Sequence, residues 1–378
     1  MKLLLTPRTL VLLTLFLGEE ARAQQLGDTL AFSAAVATSA PSPLYYRPEL
    51  DFGSVSVVGP LNVLFNRGFS ILHFRDQPRD IRDIEWGNGL SAVVDAFTHP
   101  RTAIARAGGW GPWLKREFLP TGRVWEWAWA ANYGGHILGG GITSRYLEEW
   151  FVANRVPMPA LSSAIYLMGT MIVNEIIEHP DGTGSGGGVA DMLIFDPLGI
   201  ILFRIDGVAR FFSEELHATD WSPQVSVTLP GMRVQNVGQV FAYKVRLPFF
   251  ERTRLLLTLG QQGLGGLTYR FDSGLSVGVA GGIDGDLRIV DPKTGQESIE
   301  PRPAAGFYLD QDDSLLASVV LGYDAFNFLS VNVYPGVLPG AFASLGVWAT
   351  VTQSREFSFG LSSRSTLGLG TGLNMNRR

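Results

Sequence analysis

From about Trp221 to the C-terminus the chain alternates large apolar residues with small or polar ones. Phe241, Tyr243, Val245 and Leu247 alternate with Ala242, Lys244 and Arg246. Leu267, Tyr269 and Phe271 alternate with Thr268 and Arg270. Leu275, Val277 and Val279 alternate with Ser276, Gly278 and Ala280. Leu345 to Val351 and Phe357 to Leu361 repeat the pattern. A period of two is the mark of a strand whose two faces meet different environments. About eleven or twelve such segments, separated by Gly, Asp, Asn and Pro turns, predict a barrel or a sandwich. The non-apolar face is dominated by Gly, Ser, Ala and Thr, smaller and less charged than a water-filled lumen. That suits a narrow barrel, or one whose interior is filled by another part of the chain; the apolar helices of 123–215 are either such a filling or lean against the barrel at the membrane surface. The chain ends Asn374-Met375-Asn376-Arg377-Arg378, without the terminal aromatic residue common in outer-membrane barrels.

The first residues explain where such a sheet would be placed. Lys2 and Arg8 precede the apolar run Thr9 to Gly18, and Ala21-Arg22-Ala23 forms an A-x-A cleavage site. These are the three parts of a signal peptide. The apolar core is half the ~20 residues an uncleaved anchor needs. Cysteine is absent, so no lipidated N-terminal cysteine and no disulfide can form. A formal charge of −5 without a basic stripe argues against nucleic acid as a partner. Charged residues make up 17% of the chain, below the ~25% usual for soluble proteins, and there are 45 glycines. Both fit an apolar outer surface or tightly packed strands.

The expected organisation is a signal peptide over 1–23, an extended, loop-rich region with some strands over 24–120, a helical domain over 121–217, and a barrel-like region over 218–378. In the second region, Asp28 to Ser39, Leu50 to Val58 and Leu61 to Phe65 read as strands. The helical domain reads as Arg123 to about Leu138, Ile142 to about Asn154, Ala160 to His179, and a weaker helix from about Val189 to Glu215. Pro159 suits a helix start and Pro180 a helix end. Val156 to Asn174 is uncharged, but Pro157, Pro159, Ser162, Ser163 and Thr170 favour a buried helix over a membrane span. The run Asp181 to Gly188 reads as a mobile linker. It is not a phosphate cradle, because it lacks the Gly-Lys-Ser/Thr ending. Trp125, Trp127 and Trp129 read as aromatic core or as a membrane-interface segment. Asp291 to Gly295 reads as a turn. Asp310, Asp312 and Asp313 read as a solvated turn, since they lack the Gly and distal Glu of a calcium loop.

Candidate chemistry concentrates in the helical domain, where polar residues interrupt apolar runs: Asn132, His136, Arg145, Asn174, Glu175, Glu178, His179, Asp191 and Asp196. A buried carboxylate is costly without partners, so each of these needs one. Glu175-Ile176-Ile177-Glu178-His179 is similar in spacing to an H-x-x-E-H zinc signature, with Glu in the first position, and His136 or Asp191 would be the further ligand. The structural alternative sets Glu175 against Arg145 or helix-end amides, with Glu178 and His179 at a solvent-facing helix end. Asn132 and His136 are i, i+4 neighbours, so one could orient the other. Ser144 is the nearest hydroxyl for a His136-based hydrolase, but no G-x-S-x-G elbow supports it.

The order Asn132-Tyr133-Gly134-Gly135-His136, Tyr146, Ser162, Gly169, Asn174-Glu175, Glu178, and Asp191 with Pro197-Leu198-Gly199 resembles a family of bacterial envelope proteins known as a domain of unknown function. The resemblance covers about residues 130–212. It implies an envelope location and supplies no activity.

The expected fold class is therefore α+β: a C-terminal antiparallel β-barrel of outer-membrane type behind a helical segment, with a soluble β-sandwich carrying helices as the alternative. The expected role is non-enzymatic: structural, lipid-contacting or transport-related. The alternative is a membrane-embedded lipid acyl-ester hydrolase using His136 with Glu175 or Asp191. No metal or cofactor is expected. Membrane lipid is the expected partner, and the outer membrane, or alternatively the periplasm, the expected location of the exported chain.

Overall fold

The computed structural model describes residues 43–74, 76–120, 128–229, 231–290, 297–322, 327–364 and 369–375. The chain divides into two compact units, Met1–Ser42 and Pro43–Arg378, and all described residues belong to the second. The signal peptide, Asp28 to Ser39, Trp125, Trp127 and the turn at 291–295 lie outside them.

The architecture is α+β, with helices first and one large sheet after them. The sheet has thirteen strands: β1 (Thr219–Asp220), β2 (Ser226–Leu229), β3 (Arg233–Gln235), β4 (Val240–Leu247), β5 (Phe250–Gly260), β6 (Gln262–Arg270), β7 (Leu275–Val290), β8 (Glu297–Gln311), β9 (Ser314–Leu321), β10 (Asn327–Val333), β11 (Leu345–Thr352), β12 (Phe357–Ser363) and β13 (Gly370–Met375). From β4 to β13 each strand pairs antiparallel with the next. β1 flanks β4 at one edge, while β2, parallel to β13, and β3 complete the other. The described strands form one ladder, not the two sheets of a sandwich.

Residue alternation decides which face is which. Leu267, Tyr269, Val277, Val279, Phe307, Phe359 and Leu361 lie exposed, Phe307 at 53% and Val279 at 49%. Their neighbours Thr268, Ser276, Ser318, Thr350 and Ser358 are buried. A soluble sheet does the reverse, because burying apolar area is what drives packing. The buried face is closed by the chain itself. Gln224 donates to the carbonyls of Val333 (3.2 Å) and Val347 (3.1 Å). Asn236 donates to Asn332 (2.7 Å), and the Trp348 indole donates to Ser226 (2.8 Å). Trp221 packs on Tyr308 at 5.3 Å.

Connectivity forces the sheet to curl. β3 and β4 are eleven ladder steps apart, roughly 50 Å if the sheet were flat. Residues 236–239 alone join them, and that link reaches at most about 18 Å. The two edges must therefore approach each other.

Before the sheet come α1 (Pro60–Gly68), α2 (Trp86–Thr98), α3 (Pro100–Arg106), α4 (Trp110–Phe118), α5 (Ala128–Ala131), a π-helical segment Asn132–Gly139, α6 (Gly140–Ala153), α7 (Pro159–Glu178), α8 (Gly186–Ala190), a second π segment Asp191–Phe195, α9 (Asp196–Phe203), α10 (Asp206–Arg210) and a third π segment Phe211–Glu215. Pro60, Pro100 and Pro159 stand in first turns, where a missing N–H costs nothing. The expected helices over 142–154 and 160–179 correspond to α6 and α7. Residues 50–120 depart from expectation. Leu61 to Phe65, read as a strand, lies inside α1, and Leu50 to Val58 contains a 3-10 turn, Ser54–Val57. Pro60 starts a helix that is too short for its periodicity to stand out.

The helices do not fill the interior. Phe241 and Tyr243 of β4, pointing away from the buried face, join Ile142, Tyr146, Leu147 and Phe203 in one apolar cluster. The interior is taken instead by Trp221, by the polar side chains of Gln224 and Asn236, and by Val57 of the N-terminal strap, residues 43–59. Pro159–Glu178 and Gly186–Phe203 are long and apolar enough to cross a membrane by length and composition. Both supply buried residues to the helical cores, Leu167 and Met171 from one, Met192 and Phe195 from the other.

The run 181–188 is not a mobile linker. Gly186 opens α8, capped by the Ser185 hydroxyl, which accepts from the Gly188 N–H at 2.8 Å. Its glycines are where neighbours come close. A Cβ would stand 2.6 Å from Ala96 N at Gly184, and 2.3 Å from Glu175 Oε2 at Gly188.

Candidate functional site

The sequence-selected residues His136, Glu175 and Asp191 are brought together where the first two π segments meet α1, α7 and α9. A π turn widens the helix by one residue and is frequent at functional sites. The first carries His136 and the second begins at Asp191. His136 Nε2 lies 3.7 Å from Asp191 Oδ2, and Nδ1 lies 3.4 Å from Asp196 Oδ1. Asp196, fully buried, also pairs with the Arg67 guanidinium. Arg67 extends to the Gly135 carbonyl (3.3 Å) and to Gln239 (3.1 Å). Gly140 leaves room for this pair, since a Cβ there would stand 2.8 Å from Asp196 Oδ1. The His136–Asp196 contact is close enough for charge pairing but is not aligned as a hydrogen bond. His136 Nδ1, Asp191 Oδ1 and Asp196 Oδ2 are buried atoms without a hydrogen-bond partner among the described residues.

The last turn of α7 adds Glu175, Glu178 and His179. His179 Nε2 is 3.3 Å from Glu175 Oε2 and 3.0 Å from Ser185 Oγ. One ring nitrogen serves both contacts, so this is not a Ser–His–Glu relay, which uses the two nitrogens separately. Glu175, Glu178 and His179 each offer one ligand atom, all within 4.8 Å of one another. Among the described residues they are the set able to hold a divalent cation.

Burial lowers the His136 pKa, but Asp191 and Asp196 outweigh it and raise it to about 9. Burial raises Glu175 and Asp191, and Asp191 is raised further by the Glu175, Glu117 and Glu178 carboxylates. The cluster is thus a proton-holding site: burial opposes ionising Asp191, the facing His136 imidazolium favours it, and the two groups titrate together.

Several expectations are corrected. Arg145 does not meet Glu175. It pairs with Glu149 (2.9 Å) and Asp206 (3.0 Å), and Glu149 in turn receives the Leu44, Tyr45 and Tyr46 N–H groups. Asn132 does not orient His136 but donates to Glu117 Oε2 at 2.9 Å. Asn174 donates to Ser70 Oγ (2.9 Å) beside Arg67. Glu178 and His179 are not at a solvent-facing end, because His179 is buried and Glu178 partly so. Ser144 is buried on α6, and no hydrogen bond joins it to His136 among the described residues. Asp310 and Asp313 are not solvated either: Lys244 Nζ binds them at 2.5 and 3.0 Å. Arg67 and Glu117 are the members that the sequence did not reveal, since both lie in the region expected to be loop-rich.

No protein-family model, curated protein or solved structure matches this chain.

Proposed function

We propose that the chain is an outer-membrane β-barrel protein with a structural or lipid-contacting role, whose strands β4–β13 form the membrane-spanning wall. The observation that carries this reading is the polarity of the sheet: apolar side chains exposed, Ser, Thr, Asn and charged pairs buried. Such a surface is stable where the solvent outside is lipid. The links 221–225 and 236–239, which bring the sheet edges together, support closure, and a closed sheet leaves no edge strand to aggregate. The inward-reaching Trp221, Gln224 and Asn236 disfavour a diffusion pore among the transport-related roles. The envelope location implied by the resemblance over about 130–212 agrees with the reading.

The hydrolase alternative draws on one observation, the meeting of His136 and Asp191. No hydroxyl nucleophile is bonded to His136 among the described residues, so a structural proton-holding role for the cluster is preferred.

The test is fractionation of the expressed protein, followed by electrophoresis with and without boiling and by conductance in planar bilayers. Outer-membrane recovery, heat-modifiable migration and no conductance are expected. Recovery in the soluble periplasm overturns the barrel, and stable single-channel conductance overturns the filled interior.

A further inference from the structure

A second polar cluster lies away from His136, where the N-terminal strap, α6 and the first strands surround a cavity of about 120 Å³. Its size approaches the ~150 Å³ that accommodates a six-carbon ring in an engineered core. One wall is apolar, formed by Val55, Val58, Val63, Ile142 and Phe241. The other is polar, and four of its five hydroxyls already donate to backbone carbonyls. Tyr45 donates to the Ala209 carbonyl (3.0 Å), Tyr146 to Val58 (2.8 Å), Ser213 to Leu44 (3.0 Å) and Thr143 to Gly139 (2.8 Å). The Arg47 guanidinium is turned to the Asp312 carbonyl at 2.8 Å and to Thr219.

His217 is held by Asp313. Its Nδ1 lies 2.9 Å from Asp313 Oδ2, and Lys244 grips the other oxygen at 3.0 Å. Burial acts to raise Asp313, but the His217 hydrogen bond and the Lys244 charge outweigh it and hold the carboxyl well below its ordinary value. An ionised carboxylate only accepts, so Nδ1 carries a proton towards Asp313. Nε2 is buried and has no hydrogen-bond partner among the described residues. His217 adopts left-handed backbone at φ 48°, and Asp312 and Asp313, at φ 49° and 68°, form the two-residue turn between β8 and β9 that brings Asp313 to it. Asp220, on the cavity wall, accepts from the Ser222 N–H at 2.7 Å and has no cationic partner among the described residues. The wall therefore offers acceptors, one carboxylate without a countercharge, and an apolar side opposite.

We propose that this cavity binds a small protonated aliphatic amine, its ammonium paired with the Asp220 carboxylate beside His217 and its alkyl part lying against Val58 and Ile142. The inference does not depend on where the protein resides.

The chain has five histidines, so isotope-labelled histidine spectra of the detergent-solubilised full chain are simple enough to follow, and His217→Asn assigns the His217 signals. Asparagine tolerates the left-handed backbone at that position. Butylammonium chloride, 1-butanol and sodium butyrate are titrated at equal ionic strength. The expected result is a saturable shift of the His217 ring signals with butylammonium, weaker or absent with butanol, absent with butyrate, and weakened at least tenfold in Asp220→Asn. No saturable shift with butylammonium in the wild type, an equal response to butyrate, or unchanged affinity in a folded Asp220→Asn each overturn the proposal. The wild-type titrations decide the matter even if both variants fail to fold.

Discussion

His136 holds its proton because two carboxylates face it across a gap too dry to screen them. Its native pKa of about 9 stands above the ordinary value near 6.5. The folded chain therefore binds this proton more tightly than the unfolded chain does. The stabilisation is complete below about pH 6.5 and is lost as the pH rises toward about 9, of the order of 3 kcal/mol in all. The raised Glu175 and Asp191 act with the same sign from lower pH upward. Urea unfolding of the helical signal at a series of pH values is expected to show falling stability across pH 6.5–9, and His136→Gln is expected to remove that part of the slope. Asp196→Asn leaves the buried Arg67 guanidinium without its countercharge and is expected to cost about 3 kcal/mol or more in the same assay. His136, Glu175 and Asp191 were legible in the sequence because charged residues inside apolar helical runs must find partners. Arg67 was not, because its partner lies 129 residues away and nothing local marks the pair. His217 escaped notice for the same reason, its carboxylate partner being 96 residues distant.

Among the helices, glycine marks the close approaches. At Gly141 a Cβ would stand 2.1 Å from the Phe203 ring, and at Gly139 it would stand 2.9 Å from Phe241. The triplet Gly139-Gly140-Gly141 lets the first π segment and α6 seat against α9, Arg67 and β4 together. Gly169, on α7, has nothing within 4 Å of such a Cβ. Gly141→Ala is expected to destabilise by about 2 kcal/mol through overpacking. Gly169→Ala is expected to stabilise by about 1 kcal/mol through helix propensity alone. Thermal melts of the two variants check the opposite signs. Helices α6 and α7 could be read from periodicity and their flanking prolines. The π turns could not, since an extra residue in a turn leaves no compositional trace until the packing that demands it is known. Helices α1 to α4 were missed because segments of seven to thirteen residues, broken by Gly and Pro, carry too few turns to separate a period of 3.6 from irregular chain.

For the molecule as a whole, the sheet's alternation was legible from the first, and so was the smallness of its second face. What fills the interior was not, because Gln224, Ser226 and Asn236 lie in short polar segments whose partners, Asn332, Val347 and Trp348, are about a hundred residues further along. The absence of cysteine allows the polarity of the sheet to be probed directly. Single cysteines at Leu267, Val277, Val279 and Phe307 on the exposed face, and at Thr268 and Ser276 on the buried face, can be spin-labelled in protein reconstituted into lipid bilayers. Collision rates with oxygen, which concentrates in lipid, and with a water-soluble nickel chelate are then compared. A lipid-embedded barrel requires high oxygen and low nickel collision at the four exposed-face sites, and low rates for both at the two buried ones. High nickel collision at Val277, Val279 and Phe307 would place that face in water and contradict the membrane reading.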